Sequence, residues 1–411
     1  MSRSRCFVGF GFGPIQSGLF LYEAFRTGRF QRLVVAEVDE RLVQSLRASG
    51  GRYHLNIAHA ERIEKVVIDG IEAYNPRDPQ DRAALLEAIA SADELATALP
   101  SVDFYTRGEQ MSVVSLLTEA FAGAPARQRV IYAAENNNHA AEVLTSALTL
   151  RLPPAARANM QVLNTVIGKM SGVITDPGQI GELGLSPLTP TSDRAVLVEV
   201  FNRILIDRIN LSGFERGIDA FVEKDDLLPC EEAKLYGHNA IHALMGYLAN
   251  QCGLRLMSDV ASHPDILGIA KDAFIAESGT ALVRKYAKLN DPFFTEVGYR
   301  AYAEDLLIRM VNPNLQDLVA RVIRDPQRKL GFADRLFGTM RLALGQGITP
   351  TNMASGAAAA LEFHLGHRPE SRDEIQKTLA PIWQESIQLP EAQVIMNILS
   401  QAYKEPSAHA K

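Results

Sequence analysis

At 411 residues the chain exceeds the ~100–200 residues of a typical domain, so two domains are expected. Hydrophobic residues at 47% and charged residues at 22% exclude a largely disordered chain. A total of 42 basic against 48 acidic residues, net −6, argues against a general binder of nucleic acid or anionic membranes. Cys6, Cys230 and Cys252 lack metal-ligand spacing, and an odd count argues against a disulfide framework. No apolar run approaches the ~20 residues that span a bilayer. Arg3 and Arg5 ahead of the apolar stretch 6–21 imitate a signal peptide, but its glycine spacing and Gln16 fit a strand, turn and helix better. The expectation is a reduced, cytoplasmic protein.

The first part of the chain alternates β-rich runs with helical patterns, the layout of a parallel sheet with crossover helices. Cys6–Phe10 reads as a buried strand, Leu33–Val38 as a second, Lys65–Ile68 as a third and Arg129–Ala133 as another. Asp81–Ile89 and Met111–Phe121 carry helical periodicity between them. Asp176–Asp193, rich in Gly, Pro, Ser and Thr, reads as a loop before a strand at Ala195–Val200. Past about residue 205 the β-rich runs give way to helices at Glu231–Gln251, Pro264–Leu289, Ala301–Met310, Gln316–Ile323 and Met353–Phe363. Asn312-Pro313 and Pro350 punctuate them. The tail after Lys404 reads as frayed. The expected fold is an α/β domain with a parallel-sheet core over 1–205, followed by an all-α domain over 206–411.

Gly11-Phe12-Gly13-Pro14-Ile15-Gln16-Ser17-Gly18 follows the first strand directly. In a Rossmann-like turn the first glycine permits the tight bend, the second admits a pyrophosphate and the third lets helix pack on strand. Gly11 and Gly13 fill the first two roles, with Pro14 and Ile15 beside them, while Gln16 occupies the third. Glu37, near the end of the second strand, is placed to accept both hydroxyls of an adenosine ribose and to repel a 2′-phosphate. NAD is therefore the expected cofactor, although Arg41 could receive such a phosphate. A plain glycine turn with an acidic strand end remains the alternative.

The most specific signal is K-x4-N-x2-H, carried by Lys234, Asn239 and His242. At about 100° per residue Lys234 lies at ~0°, Glu231 near ~60°, His242 near ~80° and Asn239 near ~140°. One arc then holds an amine, a carboxylate, an imidazole and an amide. The bland alternative is a solvated helix face; the apolar residues that follow and the use of two modest helix formers count against it. His238 and His242 stand at i, i+4, but Asn239 replaces the glutamate of a metalloprotease helix and nothing completes a zinc set. No metal is expected.

With these residues in place, the stretch ~7–405 resembles the polyol-specific long-chain dehydrogenases, the mannitol dehydrogenase family. The resemblance implies that Lys234 is the general base and that Asn239 and His242 bind the reacting oxygen. Ala134-Glu135-Asn136 resembles a strand end of the family whose Asn contacts the reacting centre, which makes Asn136 a fourth catalytic candidate. Thr97-Ala98-Leu99-Pro100 resembles the loop over the nicotinamide, with Thr97 a cofactor candidate. Such a base needs its pKa lowered from ~10.4 toward neutrality by desolvation and nearby cations.

Arg324–Leu330 and Asp334-Arg335-Leu336 resemble the sugar-phosphate branch of the family more than the free-polyol branch. The implied substrate residues are Glu231, Arg321 and Lys329 for polyol hydroxyls, and Arg324 and Arg328 for a terminal phosphate. Four apart, the two arginines would share one face if the segment is a helix, whereas an extended loop would separate them. Where relatives carry Val-Asp-Arg this chain has Ile167-Gly168-Lys169, so a carboxylate is missing. The expected activity is NAD-dependent oxidation of a polyol phosphate. A dehydrogenase of a free polyol, sugar acid or sugar conjugate is the alternative, and a non-catalytic nucleotide sensor the rival of another class. Expected partners are a small-molecule substrate and at most a few copies of the chain (a monomer or small homo-oligomer), without nucleic acid or membrane.

Overall fold

The computed structural model of the protein describes residues 5–201 and 203–404; Arg3 and the tail after Lys404 lie outside them. The chain separates into two compact units, Met1–Leu228 and Pro229–Lys411. No helix among the described residues is long and apolar enough to cross a membrane.

The first unit contains β1 (Cys6–Phe10), β2 (Arg32–Ala36), β3 (Tyr53–Ala58), β4 (Ile63–Ile68), β5 (Ile71–Tyr74), β6 (Glu94–Thr97), β7 (Arg129–Ala133), β8 (Met160–Val166), β9 (Ser171–Ile174), β10 (Ala195–Glu199), β11 (Ile204–Asp207) and β12 (Phe221–Lys224). An eight-stranded sheet runs β12-β11-β8-β7-β6-β1-β2-β5. Its six strands from β5 to β8 are parallel, and they follow the doubly wound order in which a ligand site forms where β1 and β6 diverge. β11 turns antiparallel to β8. Side chains alternate across this sheet: Phe7, Leu33 and Val35 join one core, Val8, Phe10 and Val34 the other. Helices Pro79–Ser91 and Val113–Gly123 cover the second face with Leu85, Ile89, Leu117 and Phe121.

Three expectations need correction. Residues 65–68 belong to β4, which pairs antiparallel with β3 in a separate sheet of order β4-β3-β10-β9, not in the parallel core. β11 spans residue 205 and β12 lies beyond it, and the first compact unit continues to Leu228. The loop at 176–193 contains a short helix, Pro177–Glu182, capped by the Asp176 carboxylate, which accepts from the Gln179 N–H at 2.7 Å.

The second unit is helical; among its described residues the only extended pairing is an isolated bridge between Leu256 and Leu318. The helix bearing the K-x4-N-x2-H motif runs over 228–251, with a π segment at Ala233–Asn239. A second long helix, over 264–286, has its own π segment at Ala273–Gly279. Small residues set the close crossings. A Cβ on Gly237 would meet the Tyr299 hydroxyl at 2.5 Å, and one on Gly246 would meet Val322 at 2.7 Å. Gly356, in helix Thr351–Leu365, fits against Leu244 in the same way.

Candidate active site

In the first unit the glycine turn leaves β1 with Gly11 at φ 82°, a conformation glycine adopts freely. A Cβ there would also press on Leu99 and the Ala98 carbonyl at 3.2 and 3.3 Å. A Cβ on Gly13 would meet nothing within 4 Å, which leaves open space for a phosphate group over the turn. Gln16 solves the third position by a swap. Its amide lies over Gly9 of β1, so close that a Cβ on Gly9 would collide with it. The strand thus supplies the glycine that the helix lacks. Gln16 is fully buried, and its amide nitrogen and oxygen have no hydrogen-bond partner among the described residues. Gly18 then lets the helix approach the second sheet, where a Cβ would meet Val198 at 2.5 Å.

The Glu37 carboxylate braces this turn. Oε2 accepts from the Phe12 N–H at 2.8 Å, and Oε1 from the Val38 and Asp39 N–H groups at 2.7 and 2.9 Å. With about four lone-pair sites on a carboxylate, about one remains for a ribose hydroxyl, not the two expected. Gly11, Gly13, Pro14, Ile15, Glu37 and Leu99 all line one cavity of about 640 Å³, within the range of cofactor sites. Turn, open space and acidic strand end together fit a dinucleotide.

Thr97 does not line that cavity; it is fully buried at the end of β6 and donates its hydroxyl to Glu135 at 2.9 Å. Glu135 also accepts from the Leu99 N–H at 2.9 Å and from the Tyr105 hydroxyl. Burial pushes the Glu135 carboxyl up, against the pull of these donors. The Thr97–Glu135 contact therefore supports the loop 98–100 from beneath. Asn136, the next residue, is exposed just past β7. Lys169 is buried and donates to the carbonyls of Glu199 and Phe201 (3.1 Å for the latter).

In the second unit the π segment changes the geometry of the motif. Hydrogen bonding in a π-turn runs i→i+5, so residues five apart stack. Lys234 and Asn239 are five apart, and the ~140° between them on an α-helical wheel therefore narrows. The turn is met from outside: the Tyr236 carbonyl accepts from the Ser278 hydroxyl at 2.7 Å, and the Thr339 hydroxyl, which donates to the Arg335 carbonyl at 2.5 Å, lies 3.2 Å away. Glu277 caps helix Thr351–Leu365, accepting from the Asn352 and Met353 N–H groups at 2.7 and 2.9 Å.

Burial pushes the Lys234 ammonium down to about 8, with Arg335 acting in the same direction and Glu231 against it. Burial also holds His238 well below its ordinary value, assisted by His242, Arg309, Lys234 and Arg335. His242 Nε2 lies 3.0 Å from Asp317 Oδ2, and Arg321 places Nε and Nη2 at 2.7 and 2.6 Å from Asp317 Oδ1. Burial pushes the Asp317 carboxyl up, but His242 and Arg321 outweigh it and hold it below the usual range. The structure thus brings Glu231, Lys234, His242 and Arg321 into one charged neighbourhood, with Asp317 and, from the segment Asp334-Arg335-Leu336, Arg335 as further members. Asp317 carries no motif of its own; its spacing of four from Arg321 was the available signal.

The arginine run is interrupted. Helix Val319–Ile323 ends at Arg324, Asp325 adopts φ 59°, and a new turn begins at Pro326–Lys329. Arg324 and Arg328 are therefore on different elements, not on one helical face. Both are exposed, and Arg328 Nε pairs with Asp325 at 3.1 Å. Lys329 is buried, donates to the Arg324 carbonyl, and is pushed down to about 8 by burial together with Arg335 and Arg328. Among the described residues no three His, Cys, Asp or Glu side chains form a group that could hold a metal ion.

Residues 226–403 match the mannitol dehydrogenase C-terminal domain. Mannitol-1-phosphate 5-dehydrogenase of Bacillus licheniformis is 29% identical over 370 residues, covering 88% of this chain and 89% of its own. Two solved structures share the fold at 15% identity. Pseudomonas fluorescens mannitol 2-dehydrogenase, in a ternary complex with NAD and D-mannitol, has a TM-score of 0.70 over 98% of this chain and 92% of that one. A D-sorbitol dehydrogenase in substrate-free form has a TM-score of 0.75 over 98% and 93%. The helical unit matches the mannitol dehydrogenase C-terminal domain over residues 226–403, and the chain as a whole is similar to mannitol-1-phosphate 5-dehydrogenases.

Proposed function

We propose that the protein is a metal-independent, NAD-dependent dehydrogenase of a polyol phosphate, acting as the mannitol-1-phosphate 5-dehydrogenases among its relatives are named to act. The observation that carries this reading is Lys234: an amine pushed down to about 8, on the π-turn that also bears Asn239, one helical turn ahead of His242. At neutral pH such a lysine has an appreciable unprotonated fraction and can take the proton of a secondary alcohol. Asn239 and His242 orient the reacting oxygen, with Asn136 as a further contact. Gly11, Gly13, Pro14, Ile15 and Glu37 hold the dinucleotide, and Thr97 with Glu135 holds the loop beside it. Bound NAD supplies the hydride acceptor. In the reverse direction the protonated Lys234 returns the proton to the nascent alkoxide.

Arg321, Lys329 and Glu231 serve the polyol hydroxyls in this reading, and Arg324 and Arg328 the terminal phosphate, since guanidinium groups offer a permanent charge and forked donors. A free polyol is the second reading, favoured by the break at Asp325 that sets the two arginines on separate elements. Reduced-nicotinamide absorbance, followed with NAD and a panel of polyol phosphates and free polyols, tests both. Faster turnover of a phosphate supports the first reading, and faster turnover of a free polyol supports the second. Binding of NAD without turnover of any member would leave a nucleotide sensor.

A further inference from the structure

We propose that Asp317 is a positioning residue that fixes the imidazole of His242 with its proton on Nε2, so that Nδ1 is the nitrogen offered to the substrate oxygen. The inference rests on the role given to His242 above and deepens it. Its basis is geometric. Asp317 Oδ2 faces His242 Nε2 at 3.0 Å, and both atoms are shielded from solvent. Neither atom has an aligned hydrogen-bond partner among the described residues, the other member of the pair included, so the 3.0 Å contact leaves two buried polar atoms facing each other with no competing partner there. The second oxygen, Oδ1, is already committed to Arg321 at 2.6 and 2.7 Å. The carboxylate is thus a two-ended clamp, with a candidate oxygen-binding residue on one end and a candidate polyol-binding residue on the other.

The clamp is built rigidly. Asn312 opens the preceding turn, its side chain accepting from the Asn314 N–H at 2.9 Å, and Gln316 takes a left-handed conformation at φ 51° to redirect the chain. The Asp317 carbonyl then accepts from the Met257 N–H at 2.8 Å, and the Val319 N–H donates to the Arg255 carbonyl at 3.0 Å. The short helix that follows is fastened to the motif helix by the Tyr247 hydroxyl, which donates to the Ile323 carbonyl at 3.1 Å. Backbone on both sides of Asp317 is therefore tied to the elements that carry or flank His242. A carboxylate held in this way selects one imidazole tautomer, because only a protonated Nε2 satisfies it. Nδ1 is then a lone-pair acceptor for an alcohol hydroxyl in the neutral ring, and a donor to a carbonyl oxygen when the ring is protonated.

The test needs no substrate in its first arm. Nitrogen-15 NMR of the ring nitrogens in the full chain, with His242 identified among the 9 histidines by its loss in His242→Ala, reports the tautomer directly. A single Nε2-protonated form in the unmodified protein, replaced by averaging between tautomers in Asp317→Asn and recovered at least in part in Asp317→Glu, is the expected result. Averaging in the unmodified protein would overturn the proposal even if Asp317→Asn failed to fold. The second arm is kinetic. Loss of one charge-assisted contact should lower kcat of Asp317→Asn by about ten- to a hundredfold. Asp317→Asn added to His242→Ala should lower it by clearly less than it does alone, the remainder acting through Arg321. An equal loss in both backgrounds would make Asp317 a merely structural residue. Absence of turnover with every polyol would refute the functional reading alone, since the NMR result does not depend on it.

Discussion

Replacing Lys234 with methionine separates the chemistry of the base from its cost to the fold. Burial moves the lysine from its ordinary 10.5 to about 8, which at 1.36 kcal/mol per pH unit corresponds to about 3 kcal/mol of disfavoured charge. The sign follows from proton counting. Between about pH 8 and 10.5 the unfolded chain holds a proton at this position that the folded chain has released, so folding stability contributed by Lys234 rises with pH across that window. Below pH 8 both states are protonated and the full penalty is present. Lys234→Met has no such group. Denaturant unfolding of the two proteins at a series of pH values isolates the effect, because all other titrations cancel in the difference. The unmodified protein should gain on the variant by about 3 kcal/mol from pH 8 to 10.5, and the gap should be level below pH 8. Polyol oxidation by the unmodified protein should rise with pH through about 8 and level off above it, while Lys234→Met should lose about 10²–10⁴-fold in rate. A stability difference that is flat through pH 10 would refute the half-buried, pKa-shifted base.

Arg335→Gln removes a cation that pushes Lys234 down, so the pH–rate profile for oxidation should move to higher pH; an unmoved profile would show that burial acts alone. Glu37→Ser should narrow the preference for NAD over NADP, measured as kcat/KM with each, and a preference for NADP in the unmodified protein would refute the assignment of Glu37. The same substitution removes the brace on Phe12, and should also weaken NAD binding measured by titration. Arg328→Ala should raise KM for a polyol phosphate by about ten- to a hundredfold while leaving activity on a free polyol nearly unchanged. Equal damage to both substrates would make Arg328 structural.

The sequence was most legible where the signal was local. β1 and β7 stand where their apolar runs end, because a buried parallel strand is a continuous hydrophobic stretch bounded by turns. Sheet membership was not legible at residues 65–68, since the run says that a strand forms and not which strand it meets. β11 and β12, four residues each, are too short to stand out from their charged flanks, and the boundary was therefore placed early. The motif residues were found by spacing, but their arrangement was misjudged by the α-helical period. The Tyr236 carbonyl within the π-turn is met by Ser278, a distant donor that no local pattern announces. The roles of Asp317 and Arg335 were not legible for the same reason: each acts on a motif residue across the fold rather than along the helix. The spacing of the arginine pair leaves a helix and a separating loop both open, because only the proline after Asp325 marks the bend there.

Steady-state oxidation by the unmodified protein and Lys234→Ala, with NAD and matched phosphorylated and free polyols, tests the central claim most directly. The account predicts turnover of a polyol phosphate by the unmodified protein, and a loss of about 10²–10⁴-fold in Lys234→Ala with NAD affinity retained. Near-normal oxidation by Lys234→Ala would contradict it.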